Sequence, residues 1–241
     1  MQHFLENYPI LYCPEVDSTN SLLKQKLREQ NLTAPFAIAA GVQTSGRGQK
    51  QNIWLSTANE NVLCSFLVQG FSINQLPFLT NVAVVAIGKT LEAFGINNYE
   101  VKWPNDIFVE DKKIAGILIE NVIAGTELKH CIVGIGLNVN QNQNLLETAT
   151  SMVKINNLQL LTKDVLIYLF QSFYTLLKHS ETELLAYINH RLYKKNQVVT
   201  FSDDKGTIPY TVQAILKNGN LLVSDNSQFL ELQHHLAKWQ L

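Results

Sequence analysis

From Glu100 to Val139 the chain reads as one apolar run after another, EVKW, DIFVE, KKIAGILIENVI and ELKHCIVGIGLNV, each joined to the next by only a few residues. Connections that short cannot carry a crossover, so successive runs must pair antiparallel, and a sheet becomes the centre of the fold. Glu110-Asp111-Lys112 and Ala124-Gly125-Thr126 are two of these turns. Upstream, PFAIAAGV at 35–42 and VLCSFLV at 62–68 are short, apolar and bounded, which suits buried strands. Helical patterns surround them. Asp17-Ser18-Thr19-Asn20 is a run of cap-forming side chains, followed by Leu22, Leu23 and Leu27 at helical spacing. Leu76 to Phe94 is a long apolar segment with a proline near its start and Gly95 past its end, as expected of a buried helix. TKDVLIYLFQSFYTLLK and SETELLAYINHRLY are amphipathic, and Ser180-x-x-Glu183 opens the second as a capping box.

Past Asn196 the texture changes to short alternating runs, with turns at Asp203-Asp204-Lys205-Gly206 and Asn218-Gly219. Asn-Gly between strands is a strong hairpin signal. The reading is therefore two domains, residues 1–194 and a small all-β module at 195–241, a barrel of short strands.

Composition removes several function classes. With 19 basic and 20 acidic residues the net charge is −1, so nothing drives general adhesion to nucleic acid or anionic lipid. At 46% hydrophobic and 16% charged residues, the 241-residue chain can bury a substantial core. Cys13, Cys64 and Cys131 form neither a disulfide framework nor a metal knuckle and read as reduced core thiols. The first residues, MQHFLENYPI, lack a cationic head before an apolar run, and no segment approaches the roughly 20 apolar residues that span a bilayer. A cytoplasmic protein with no membrane partner is expected.

Three segments carry chemistry. The loop Gln43 to Trp54 holds Gly46-Arg47-Gly48, then Gln49 and Lys50. Glycines beside an arginine let backbone amides approach an anion, and the guanidinium offers a permanently charged fork to carboxylate or phosphate. By itself GRG also fits a solvated surface loop with a buried Trp54. Val101-Lys102-Trp103-Pro104-Asn105-Asp106 gathers a cation, an indole, an amide and a carboxylate around a rigid proline, and equally fits an Asx turn. In Lys112-Lys113-Ile114-Ala115-Gly116-Ile117-Leu118-Ile119-Glu120, a lysine stands at the mouth of a strand whose glycine permits close ligand approach, or marks a bulge beside an ordinary edge lysine.

Taken in order with Asp17-Ser18-Thr19-Asn20 and Gly134-Ile135-Gly136-Leu137-Asn138-Val139-Asn140, these blocks resemble biotin-protein ligases over most of residues 13–140. The resemblance implies an α+β fold: a mixed β-sheet with flanking helices, related to class II aminoacyl-tRNA synthetases, then a small SH3-like β-barrel. It implies biotin and ATP as substrates, Mg2+ with them, and a lysine of a biotin carboxyl carrier protein or domain as acceptor. In that reading Arg47, the amides of Gly46, Gly48 and Gln49, and Lys113 hold the biotin carboxylate, with Lys113 also facing the α-phosphate. Ser18, Thr19, Asn20 and Gln43 meet the ureido ring, with Ser18 or Thr19 also capping the helix, and Gly116 lets the ring approach the sheet. Lys50, Trp54, Asn105 and Asn138 serve ATP, Trp54 and Asn138 also fitting core packing and a turn, and Asp106 receives or orients the acceptor amine, a magnesium or structural role being its alternative. The loop from Gly46 to Trp54 acts as a lid.

Many relatives read GRGRxGRxW in this loop, where Gln49, Gln51 and Asn52 stand here in place of arginine, glycine and arginine. That weakens several expected contacts, so either the adenylate is held less tightly or Lys50 and distant cations compensate. Only about sixteen residues precede Asp17, too few for a winged helix, so a monofunctional enzyme without DNA binding is expected. A homodimer is compatible with the resemblance. The rival enzymatic reading is a lipoate or octanoate ligase or transferase, which would want a longer apolar slot and fewer ureido partners. A noncatalytic ligand sensor is the rival of another class.

Overall fold

A computed structural model describes residues 2–49, 52–124, 127–203, 206–225, 228–234, 236 and 238–239. Its main sheet has eight strands: β1 (His3–Phe4), β2 (Ile10–Val16), β3 (Ala37–Gln43), β4 (Asn61–Val68), β5 (Tyr99–Lys102), β6 (Asp106–Val109), β7 (Lys112–Ala124) and β8 (Glu127–Asn138). Their spatial order is β1-β2-β3-β4-β8-β7-β6-β5. The meander expected from the tight connections is present as antiparallel β5-β6-β7-β8, with Glu110 and Asp111 both at positive φ in the β6–β7 turn. Gly125 and Thr126 lie outside the described residues. One pair, β2 with β3, is parallel, because helix α1 (Thr19–Glu29) crosses over between them. β2 escaped the sequence reading: Pro14 and Glu15 interrupt its apolar pattern near one end.

The two faces of the sheet carry different cores. Alternation along β3 sends Ala37 and Ala39 to one face and Ile38 to the other. On the first face lie helices α2 (Leu76–Ala93), α4 (Thr162–Leu176) and α5 (Glu181–His190), enclosing the large cluster around Phe66, Ile87, Leu91, Ile107 and Phe173. Each large apolar side chain fully buried there contributes roughly 1.5–3 kcal/mol. The second face packs α1 through Leu23 against Ile38, Leu67 and Ile132. A short helix, α3 (Met152–Asn156), follows β8.

Helix ends follow local chemistry. Pro77 sits in the first turn of α2. Its far end closes with Gly95 at φ +87°, the Ile96 N–H donating to the Leu91 carbonyl and the Gly95 N–H to that of Glu92. At α5 the capping box forms as expected, Ser180 Oγ accepting from Glu183 N and the Glu183 carboxylate accepting from Ser180 N. One expectation needs correction: Ile73–Ala93 is long and apolar enough, by length and composition, to cross a membrane. Here its apolar residues fill the protein's own core.

A second, antiparallel sheet follows: β9 (Val198–Asp203), β10 (Gly206–Ile215), β11 (Leu221–Ser224), β12 (Phe229–Leu232) and β13 (Lys238–Trp239), in the order β12-β11-β10-β9-β13. The Asn218-Gly219 turn joins β10 to β11, with Gly219 at φ +83°. Asp203 pairs with Gly206 across a turn whose central residues, Asp204 and Lys205, lie outside the described set. The apolar core runs on from the main sheet into this one, through Val101 and Trp103 to Val212, Leu221 and Trp239. Trp103 Nε1 donates to the Gly219 carbonyl at 2.9 Å.

Candidate active site

On the α1 face of the main sheet, three glycines leave a floor without side chains. Gly116 of β7 pairs directly with Gly136 of β8, and Gly134 lies opposite Leu118. Polar and aromatic groups from three other places lean over this floor. Asn20 covers Gly134, Trp54 lies against Gly136, and Lys113 arches over Gly116. A strand glycine signals close approach, so Gly134 and Gly136 were findable in the Gly-Ile-Gly segment, yet neither was singled out there as a site residue.

The recess is lined by Ser18, Thr19, Asn20, Gln43, Arg47, Gly48, Gln49, Trp54, Asn105, Lys113 and Gly116, which come from six segments of the chain. Gly46 sits behind it, against the Trp54 carbonyl and 3.1 Å, measured from an ideal Cβ, from Gln43 Nε2. Lys50 lies outside the described residues. Free volume is only about 50 Å³, well below the roughly 300–1,000 Å³ of a formed small-molecule pocket. Trp54 and Lys113 fill it, the ammonium standing 5.6 Å from the indole centroid.

The run of cap-forming residues begins α1 but caps it differently from expectation. Ser18 occupies the N-cap position and its side chain makes no cap bond. Thr19 donates through both its backbone N and Oγ1 to Gln43 Oε1, at 2.8 and 3.1 Å. Asn20 Nδ2 donates to Glu120 Oε2 at 2.7 Å and to the Leu118 carbonyl at 3.3 Å. Ser65 Oγ closes the net, 2.7 Å from Thr19 Oγ1 and 2.5 Å from Asn20 Oδ1. Buried polar groups demand such partners. Glu120 is the one carboxylate of the Lys112–Glu120 segment but is given no role there, and Ser65 sits inside an apolar strand that gives no signal for it.

Each cation rests on a carboxylate. Arg47 Nη2 bonds Glu120 Oε2 and Ser21 Oγ, both at 3.0 Å, with its side chain 45% exposed. Lys113 Nζ lies 2.6 Å from Asp106 Oδ1. Asp106 is the register partner of Lys102, whose ammonium sits over the Phe108 and Trp239 rings at 5.1 and 5.6 Å. Burial holds the Lys102 ammonium below the usual lysine range; Asp106 opposes that shift and Lys113 adds to it. Asn105 donates to the Ile117 carbonyl at 2.6 Å and accepts Ile117 N at its own carbonyl. It therefore anchors the turn that aims Asp106. Cys64 reaches the recess too, but burial pushes its thiol far above the ordinary range, leaving no thiolate.

The glycine-bearing loop is a small ladder. Trp54 N donates to the Gly46 carbonyl and Gly48 N to the Asn52 carbonyl, at 3.0 and 2.7 Å. Beyond it lies a second cavity of about 300 Å³, which shares Lys113 and Trp54 with the recess. Asn138 opens onto it, Nδ2 bound to the Thr150 carbonyl at 2.9 Å and Oδ1 unpartnered. Its outer wall is Asn144 to Ala149, a segment without periodicity that sequence reasoning passed over. Among the described residues no group of three or more metal-ligating side chains occurs.

Residues 12–138, just over half of the chain, match the model of the biotin/lipoate A/B protein ligase family. The chain is 34% identical over 145 residues to the bifunctional ligase/repressor BirA of Bacillus subtilis, covering 57% of this chain and 44% of that protein. It is 31% identical over 137 residues to the human biotin–protein ligase, covering 54% and 19%. Among solved structures, the biotin protein ligase of Aquifex aeolicus in complex with biotin and ATP superposes with a TM-score of 0.80 at 26% identity, over 96% of this chain and 98% of that one. The matched segment thus spans less than half the length of these curated relatives, while the solved structure extends the likeness into the terminal sheet. The matched residues 12–138 include the glycine floor, Arg47 and Lys113, and the family model covers more than half of the chain: the chain belongs to the biotin/lipoate A/B protein ligase family.

Proposed function

We propose that this chain is an ATP-dependent ligase that activates biotin as biotinyl-5′-adenylate and transfers it to a lysine of a biotin carboxyl carrier protein, releasing pyrophosphate and AMP. The observation that carries this reading is the placement of Lys113 and Trp54 on both the glycine-floored recess and the second cavity. A carboxylate in the one and an α-phosphate in the other would meet at the lysine ammonium.

Biotin's carboxylate is ionised near neutral pH, so the first step needs no base. A carboxylate oxygen attacks the α-phosphorus and the bond to the β-phosphate oxygen breaks. The obstacle is repulsion between anions, which Arg47 and Lys113 offset once they exchange Glu120 and Asp106 for the ligand. Trading one ion pair for another avoids leaving a desolvated cation unpaired. Gln43 Oε1 is occupied by Thr19, so Gln43 presents Nε2 to the ureido ring, alongside Thr19, Asn20 and Ser18. Polar partners of this kind suit a ureido ring better than a plain acyl chain. Trp54, Asn138 and the wall from Asn144 to Ala149 would bound the nucleotide. Magnesium would arrive on its phosphates, as it commonly does at nucleotide sites.

With only 50 Å³ free, the Gly46–Trp54 loop must lift to admit biotin and close to keep water from the mixed anhydride. In the second step the acceptor amine attacks the acyl carbon, the bond to the phosphate oxygen breaks, and the amine loses a proton. A lysine with a pKa of about 10.4 is neutral in roughly one molecule per thousand or fewer at pH 7. Asp106, released when Lys113 turns to the ligand, would receive or orient that amine. The buried free cysteines accord with a cytoplasmic setting.

Biotin-dependent exchange of labelled pyrophosphate into ATP tests the proposal. Exchange with biotin and not with lipoate is expected; preference for lipoate, or no exchange, refutes it.

A further inference from the structure

On the opposite face of the main sheet, between β7, α2 and the Asn218-Gly219 turn, lies a cavity of about 240 Å³. Among the described residues that line it there is no Asp, Glu, Lys or Arg, and His234 at its rim is the one titratable side chain. Val84, Ile119, Ile188 and Ile215 give it apolar walls, beside polar residues such as Thr80, Asn105, Asn218 and Asn220. Two of its amide atoms stand out: Asn81 Nδ2 on α2, in a residue only 4% exposed, and Asn121 Oδ1 on β7 are both buried without a hydrogen-bond partner. A folded chain rarely leaves a buried donor and a buried acceptor unmet unless something else meets them.

Gln49, Asn105 and Ile117 line this cavity and the recess alike. Whatever sits here therefore lies against the lid loop and against the turn that carries Asp106. We propose that this cavity seats the acceptor protein, taking a peptide group flanked by an apolar side chain close to the lysine that is modified. The peptide carbonyl accepts from Asn81 Nδ2, its N–H donates to Asn121 Oδ1, and the apolar walls take the neighbouring side chain. One unpartnered donor and one unpartnered acceptor beside apolar walls match a peptide group better than a carboxylate or a phosphate. The seat rests on the ligase reading above.

The test uses Asn81→Leu and Asn121→Leu, which keep side-chain size and remove the amides, and Thr80→Phe, which fills the cavity from α2. Three rates are compared with wild type: biotin-dependent pyrophosphate exchange, trapping of the adenylate by hydroxylamine, and transfer to apo biotin carboxyl carrier protein. Each variant is expected to raise the carrier KM at least tenfold while exchange and hydroxamate formation stay within twofold. An unchanged carrier KM in either asparagine variant, as when the cavity holds only water, overturns the seat. So does a matching loss of exchange or of hydroxamate formation. Wild-type protein without exchange would instead sink the ligase reading, and the seat with it.

Discussion

Adding one methyl group at Gly134 probes the polar net directly. An alanine Cβ there would stand 3.0 Å from both Cγ and Nδ2 of Asn20, and nearer still to Oδ1. Non-bonded carbon contacts settle at roughly 3.5–4.0 Å, so the Asn20 amide must retreat by about 0.5–1 Å. It is 3% exposed and cannot retreat while keeping its bonds to Ser65, Glu120 and the Leu118 carbonyl. Overpacking costs about 1–3 kcal/mol, and weakening a buried hydrogen bond about 1 kcal/mol more. Against that, replacing glycine by alanine in extended backbone gains roughly 0.4–1 kcal/mol through the unfolded chain. The balance is a loss of about 1–3 kcal/mol, and at about 2–4 °C per kcal/mol for a chain of this size the Tm should fall by roughly 2–12 °C. Because Asn20 also steers the carboxylate that holds Arg47, biotin affinity measured by titration calorimetry should drop at least tenfold. Asn20→Ala in the Gly134→Ala background makes room, so the double variant should lose less than the sum of the two. A Tm within 1 °C of wild type, with unchanged biotin affinity, would show that Asn20 is not held as described.

Arg47→Ala removes a half-exposed side chain whose resting ion pair is worth about 0–1 kcal/mol, so Tm should move by no more than about 4 °C. Exchange should nevertheless fall by about 10²-fold or more, and full exchange would refute the role given to this residue. Glu92→Gln tests the cluster joining α2, β5 and α5, where Glu92 meets Arg191 at 2.7 Å, Lys89 at 3.0 Å and the hydroxyls of Tyr99 and Tyr187. Burial pushes the Glu92 carboxyl up, but bonds from Lys89, Tyr187 and Tyr99 outweigh it and hold the group below its ordinary value. A lowered folded pKa means stability present above the unfolded value of about 4.3 and lost as pH falls through the folded one. Urea denaturation should show the variant destabilised by about 1–3 kcal/mol at pH 7, with the deficit shrinking at pH 4 and below; a deficit that grows on acidification contradicts the assignment.

Local signals located much of this architecture. The capping box at Ser180, the Asn218-Gly219 turn and the tight links between β5 and β8 each depend on neighbours in sequence, and each formed where its residues predict. Pairings set by distant parts of the chain were not legible. The parallel β2–β3 ladder depends on where α1 lands, and Thr19 and Asn20 look like caps until Gln43, Ser65 and Glu120 are brought beside them. The cleft itself was half visible. Arg47, Lys113 and Asp106 stand out by charge in unusual company, whereas Glu120 hides in a strand and the wall from Asn144 to Ala149 has neither periodicity nor a motif. Spacing also cannot tell that an arginine and a lysine rest on carboxylates before any substrate arrives.

The bond from the Trp103 indole to the Gly219 carbonyl makes the terminal strands part of the scaffold of the Trp103-Pro104-Asn105-Asp106 corner. Grafting a foreign tail after residue 195 would leave that indole without its mate and let the corner drift. Swaps among relatives should therefore exchange corner and tail together, and sequence change in either is expected to be answered by change in the other.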